Sequence, residues 1–214
     1  MNERNIIFKN VTKVIKGQII LNDINLEIPE QGIYGIVGRN GSGKTVLMKC
    51  LCGFMPVTKG EVWVGKKRIG YDTEFIEDTG FLIETPGFLS TESGFKNLIY
   101  LASIKNMIGK EQVRECIAQV GLDPADQKAV GKYSLGMRQR LGIAQAIMEN
   151  PDIILLDEPM NGLDNRGVGE IRELLLDLKM KKKLILIISH NREDIDLLCD
   201  RVYEMDSGEL HQVR

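Results

Sequence analysis

The sequence predicts an α/β fold: a mostly parallel sheet preceded by an antiparallel strand pair, with a helical segment inserted. Three observations predict it. Residues 33–37, 152–156 and 184–188 are short, nearly unbroken apolar runs, as strands covered on both faces are. Stretches with apolar residues at helical spacing alternate with them. Between the first such run and the next helix-like stretch lies a phosphate-cradling pattern, G-x-x-x-x-G-K-[ST].

The elements follow in order. Residues 5–30 read as two antiparallel strands, because 24–28 alternates apolar and polar. Residues 33–37 form a buried strand, and a helix runs from Thr45 to about Cys52. Residues 60–64 are a short strand in which Trp63 is a packing residue. Residues 79–84 are a strand candidate, which Pro86-Gly87 breaks. From 93 to 132 the pattern is helical, with runs near 92–107 and 110–120. A helix over 136–148 places Met137, Leu141, Ala144 and Met148 on one face. After the strand at 152–156, Asp164 suits an N-cap for a helix turning Val168, Ile171, Leu174, Leu175 and Leu178 inward. The strand 184–188, a helix over 191–199 and a hairpin of 201–205 with 209–212, turning at Ser207-Gly208, complete the chain.

Composition sets bounds. A chain of 214 residues fits one domain with a sizeable core. With 27% charged and 43% hydrophobic residues it has a soluble globular profile. A net charge of −2 argues against a general nucleic-acid binder. The lysine-rich stretch 179–183 reads as a solvated loop before a strand, the alternative being a contact with lipid headgroups or an acidic partner. Cys50, Cys52, Cys116 and Cys199 lack the spacing of a zinc or redox motif and read as small buried hydrophobes in a reducing compartment. The opening MNERNIIFKN lacks a signal peptide's apolar run, and no stretch approaches a membrane span, so another chain is expected to supply any spans.

The chemistry concentrates in Gly38-Arg39-Asn40-Gly41-Ser42-Gly43-Lys44-Thr45. Its glycines let backbone N–H groups turn toward a polyphosphate, and the following helix adds the favourable end of its dipole. Lys44 is positioned for the β- and γ-phosphates of a nucleoside triphosphate and the Thr45 hydroxyl for Mg²⁺. The strand 153–156 ends in Asp157-Glu158-Pro159. Ligands gather at the carboxyl ends of parallel strands, so Asp157 is expected to hold Mg²⁺ through its water shell and Glu158 to polarise an attacking water. Upstream, Tyr133-Ser134-Leu135-Gly136-Met137 precedes Arg138-Gln139-Arg140; taken bare, it is a helix start with Ser134 near the cap and a solvated basic turn.

Here the sequence resembles the ATP-binding cassette family. The family signature, LSGGQ followed by RQR, aligns with residues 133–137 and 138–140; Ser134 and Gly136 match, while Tyr133, Leu135 and Met137 depart. Met160-Asn161-Gly162-Leu163-Asp164 resembles its D-loop, and Ser189-His190 its switch histidine. The resemblance implies a P-loop NTPase core with an N-terminal antiparallel subdomain, about 1–84 and 135–214, and a helical subdomain at about 85–134. It implies a head-to-tail dimer in which each ATP lies between one subunit's P-loop and the other's Ser134 and Gly136, with Asp164 nearby, and in which Lys44, Mg²⁺, Glu158 and His190 supply positioning and charge stabilisation. A membrane permease is the implied partner, with no nucleic acid, and the implied place is the cytoplasmic face of the cell membrane. Glu84 stands where the family has a glutamine that contacts Mg²⁺ or water, and Ile15 where it has an adenine-stacking aromatic, with Tyr34 as a substitute candidate. The segments IETPGF and YSLGMRQRLGIA are most similar to bacitracin-resistance exporter ATPases, implying export of peptide antibiotics or similar amphipathic compounds. A soluble cassette ATPase acting on DNA or ribosomes is the alternative; such relatives usually carry long coiled coils or two cassettes. An unrelated GTPase would need an Asn-Lys-x-Asp motif, which is missing.

Overall fold

A computed structural model of the chain describes residues 4–29 and 31–214. β1 (Ile6–Ile15) and β2 (Gln18–Ile28) pair antiparallel across a two-residue turn, Lys16-Gly17, with positive φ at both positions. That is the turn geometry whose twist matches flanking strands. The second strand was expected to reach residue 30, which lies outside the described residues. β4 (Lys59–Val64) pairs with β1, and β5 (Lys67–Arg68) completes a four-stranded sheet in the order β2-β1-β4-β5. β5 was not anticipated; two residues are too short to show a period.

The second sheet contains β3 (Gly32–Val37), β6 (Thr79–Leu82), β7 (Ile153–Asp157), β8 (Leu184–Ile188), β9 (Arg201–Asp206) and β10 (Glu209–Gln212). Its order is β10-β9-β3-β8-β7-β6, parallel throughout except for the β9–β10 hairpin. Side chains alternate between two hydrophobic clusters. Ile33, Val37, Ile154, Leu156, Ile185 and Ile187 join one; Ile36, Ile153, Leu155, Leu184, Leu186 and Ile188 join the other. Both faces are covered, which is why these strands read as unbroken apolar runs.

Among the described residues six α-helices pack around this sheet: α1 (Lys44–Cys52), α2 (Gly94–Lys105), α3 (Lys110–Gln119), α4 (Leu135–Ile147), α5 (Asn165–Met180) and α6 (Arg192–Leu198). Ser93, Ser134, Asp164 and Asn191 cap α2, α4, α5 and α6 by accepting backbone N–H bonds, each contributing about 1 kcal/mol. Helix does not continue to residue 132. Gly121 turns left-handed, and Asp123 and Asp126 accept from the N–H groups of Ala125 and Lys128, forming turns until a 3₁₀ turn at Val130–Lys132. The apolar faces of α2 and α3 (Leu98, Ala102, Val113, Ile117) share one cluster with the sheet rather than forming a core of their own.

Two glycines seat α4 on the edge strand β6. A Cβ at Gly80 would fall 1.6 Å from the Ala146 carbonyl oxygen, and one at Gly142 would fall 2.7 Å from Pro86 Cγ. The lysine-rich stretch is only partly solvated: Lys183 is buried and donates to the Asn150 carbonyl at 2.9 Å, and Lys179 pairs with Asp200. All four cysteines are free and buried; the Cys116 thiol donates to the Ala144 carbonyl at 3.2 Å. Burial pushes the thiol of Cys50 up to about 11 and those of Cys52, Cys116 and Cys199 up to about 12. Among the described residues no helix is long and apolar enough to cross a membrane.

Candidate functional site

The loop after β3 wraps into α1 through three glycines with positive φ: Gly38, Gly41 and Gly43. Gly38 has the clearest reason, since a Cβ there would fall 2.2 Å from the Met205 carbonyl oxygen on β9. The neighbouring strand therefore presses the loop from behind. Lys44 is buried, and its Nζ donates to the carbonyls of Gly38 and Arg39 at 2.8 and 2.9 Å, drawing the loop into a ring around the ammonium. The Ser42 Oγ is buried with no hydrogen-bond partner among the described residues.

Opposite this loop stand the ends of β6, β7 and β8. Thr45 Oγ1, in the first turn of α1, donates to Asp157 Oδ2 at 2.8 Å. Burial pushes the Asp157 carboxyl above its ordinary value; the Thr45 bond opposes this, and the charge of Glu158 adds to it. The next residue, Glu158, is left-handed with φ 51, a conformation costing a non-glycine residue about 1–2 kcal/mol. It is fixed by its N–H bond to the Ile188 carbonyl (2.8 Å) and by bonds to its own carbonyl from Asn161 N–H (3.1 Å) and Gln139 Nε2 (2.9 Å). Its Oε2 lies 2.8 Å from Nδ1 of His190, two residues past the end of β8. Glu84 also turns left-handed, with φ 58, so β6 stops at Leu82 rather than reaching 84 as expected. Its Oε1 pairs with Lys49 Nζ at 2.6 Å.

One cavity of about 620 Å³ collects most of these groups: Asn40, Gly41, Gly43, Lys44, Thr45, Glu84, Asp157 and Glu158, with Ile15, Ile20 and Val46 on an aliphatic wall. Gly38, Arg39, Ser42 and His190 lie outside its lining, the first three within the loop and the last on Glu158. Tyr34, the substitute candidate for base stacking, is buried in the core between strands and cannot reach it. Ser134 and Asp164 are helix caps outside the cavity lining, although Leu135 beside Ser134 lines it. Gly136 joins their two segments, because a Cβ there would fall 2.8 Å from the Gly162 carbonyl oxygen.

Sequence reasoning missed several residues. Arg138-Gln139-Arg140 is not the solvated turn it suggests: Arg138 and Gln139 line the cavity, and Arg140 binds Glu170 and the Val120 carbonyl. Lys49 was overlooked, although its place four residues after Thr45 on α1 puts it on the same helix face. Ile20 gives no signal before the strand register is known.

A phosphate loop entering a helix, with carboxylates at the ends of the neighbouring parallel strands, defines a P-loop nucleoside triphosphatase. Residues 21–161 match the description of the ABC transporter family, and the chain belongs to that family as its ATP-binding, ATP-hydrolysing part. It is 41% identical over 94% of its length to the ABC transporter ATP-binding protein YybJ of Bacillus subtilis, covering 92% of that protein. It is 39% identical over 94% of its length to the bacitracin transport ATP-binding protein BcrA of Enterococcus faecalis, spanning 66% of that longer protein. The dimeric bacterial ABC transporter cassette MJ0796 superposes with a TM-score of 0.86 at 25% identity, over 98% of this chain and 99% of the other.

Proposed function

We propose that the chain works as one half of a head-to-tail cassette dimer on a membrane permease, hydrolysing Mg²⁺-ATP to drive export of a peptide antibiotic or similar amphipathic compound. The Thr45–Asp157 bond within the cavity carries this reading. It puts a hydroxyl and a carboxylate, both hard oxygen donors, beside the phosphate loop. Among the described residues no cluster of His, Cys, Asp and Glu forms a complete metal cage. Mg²⁺ needs none, since it takes one or two protein oxygens and completes its shell with phosphate and water. Thr45 and Asp157 would hold it directly or through water, with Glu84 contributing from the cavity wall. When bound, the ion neutralises charge on the β- and γ-phosphates.

The chain's own groups supply the rest. Free backbone N–H groups of the loop and of the first turn of α1, with the Ser42 hydroxyl that has no partner among the described residues, suit phosphate oxygens, and Lys44 sits within the same loop. Glu158 holds a water in line with the γ-phosphorus. The water oxygen bonds to that phosphorus as its proton passes to the Glu158 carboxylate, the bond to the β–γ bridging oxygen breaks, and ADP and phosphate leave. His190 steadies the Glu158 carboxylate through their shared hydrogen bond. Ile15 and Ile20 offer the base apolar contact without a π-face. Ser134 and Gly136, at the exposed start of α4, would close the partner's site, with Asp164 on the adjoining segment. The BcrA name supports the antibiotic cargo, and the 620 Å³ cavity suits a nucleotide. A docked permease would place the chain on the cytoplasmic face of the membrane; no nucleic-acid partner is proposed.

Co-purification with an integral-membrane protein from its native membrane, and ATP-dependent dimerisation of Glu158→Gln by light scattering, test the assembly. A variant that stays monomeric at saturating Mg²⁺-ATP, both alone and with the permease, removes the dimer reading.

A further inference from the structure

Thr45 and Lys49 stand one turn apart on the same face of α1. Thr45 reaches the end of β7 through Asp157, and Lys49 reaches the loop after β6 through Glu84. The two strands are paired in register, Leu82 opposite Leu156, so Glu84 stands two residues beyond Leu82 as Glu158 stands two beyond Leu156. Three carboxylates, Glu84, Asp157 and Glu158, thus crowd the strand ends where a triphosphate would bring further negative charge. Lys44 answers the phosphate loop, and Lys49 answers Glu84.

We propose that Lys49 is a positioning residue of the nucleotide site: its ion pair with Glu84 cancels the third carboxylate and ties the loop entering the helical insertion to the phosphate-binding helix. This rests on the reading of the cavity as the Mg²⁺-ATP site. An exposed pair adds little to stability. Its charge balance matters to the site instead, because potentials in a cleft act on an incoming anion. The pair also joins α1, which follows the phosphates, to residues 84–93, which lead into α2. A displacement of either end is carried to the other through two side chains.

The test is a double-mutant cycle in the intact chain, reading KM for Mg²⁺-ATP, kcat and melting temperature. Lys49→Met, which strands Glu84, should raise KM by about fivefold or more, within the range of coupling between contacting charges. Adding Glu84→Gln, whose amide oxygen can still face the cavity, should recover most of the KM lost in Lys49→Met, and Lys49→Arg should keep KM and kcat within about twofold of the parent. Melting temperatures of all variants should stay within about 3 °C, since exposed pairs contribute little. Additive effects, or Mg²⁺-ATP binding that is unchanged or tighter in Lys49→Met, overturn the proposal. Lys44→Ala separates the two layers. If it binds ATP normally, the site reading falls and the pair's role with it. If it loses ATP while positions 49 and 84 show no coupling, the pair's role alone falls.

Discussion

Nδ1 of His190 lies 2.8 Å from Oε2 of Glu158, and the His190 backbone N–H approaches the same oxygen at 3.4 Å. Two bonds from one residue fix the carboxylate's orientation. Glu158→Gln should keep ATP binding and lower turnover by about 10²-fold or more, as loss of a positioned base does. His190→Ala, which removes only the orienting bond, should lower turnover less, by about tenfold. Phosphate release and nucleotide calorimetry on the two variants check both. Undiminished turnover in Glu158→Gln would take the role of base away from that residue.

Thr45 Oγ1 is spent on Asp157 at 2.8 Å, a ready pair of oxygens for a hard cation. Thr45→Ala should erase most of the Mg²⁺ dependence of ATP affinity, a loss of about tenfold with Mg²⁺ and little without it. Thr45→Ser should behave as the parent. Titrations with and without EDTA decide; equal losses under both conditions would leave Thr45 a packing role only.

The wall that would meet the base is aliphatic, formed by Ile15, Ile20 and Val46. ATP and GTP should therefore bind with affinities within about tenfold of each other, since no hydrogen-bonding group here rejects either base. Ile15→Tyr should tighten ATP binding, because stacking a base on an aromatic ring contributes about 1–3 kcal/mol. A parent that strongly prefers one base would point to a reader elsewhere in the cavity.

Much of this was legible beforehand, for physical reasons. The strands of the second sheet are covered on both faces, so each announces itself as an apolar run, and the phosphate loop needs glycines where a Cβ would strike Met205. Ser134 and Asp164 advertise helix starts because short polar side chains cap orphan N–H groups. What stayed hidden depends on pairing across the chain. Lys49 finds Glu84, Gln139 finds the carbonyl of Glu158, and Arg140 finds Glu170, at separations of 35, 19 and 30 residues. No local pattern encodes those contacts. Tyr34 misled in the same way: its aromatic ring suggested a surface for a base, while its strand position buries it.

The buried thiols predict a pH effect. Burial holds all four above the ordinary value of 9.0, near 11 for Cys50 and near 12 for the others. The unfolded chain loses these protons first. Their contribution to stability is therefore full below pH 9 and declines as pH rises through 9 toward 12. Denaturant midpoints should fall over that window. At pH 8 Ellman's reagent should find few thiols in the native protein and four after unfolding; rapid reaction of the native chain would contradict the burial.

Gly80 and Ala146 make the closest approach between α4 and the edge strand. Gly80→Ala would force the two apart, at a cost of about 1–3 kcal/mol, and a lowered melting temperature is the readout. A variant as stable as the parent would mean that the helix shifts freely.

That seat has a mechanical consequence. α4 rests its foot on β6 at Ala146, while nearer its start Leu141, with the preceding Tyr133, packs on Gly94 of α2. Ser134 is 12 residues from Ala146, about 18 Å along a helix. The contact is a fulcrum near one end of a lever, and a tilt of about 5° there sweeps the tip through about 1.5 Å. Half a hydrogen bond's length at Ser134 is thus set by an angle measured at a glycine that never approaches a nucleotide.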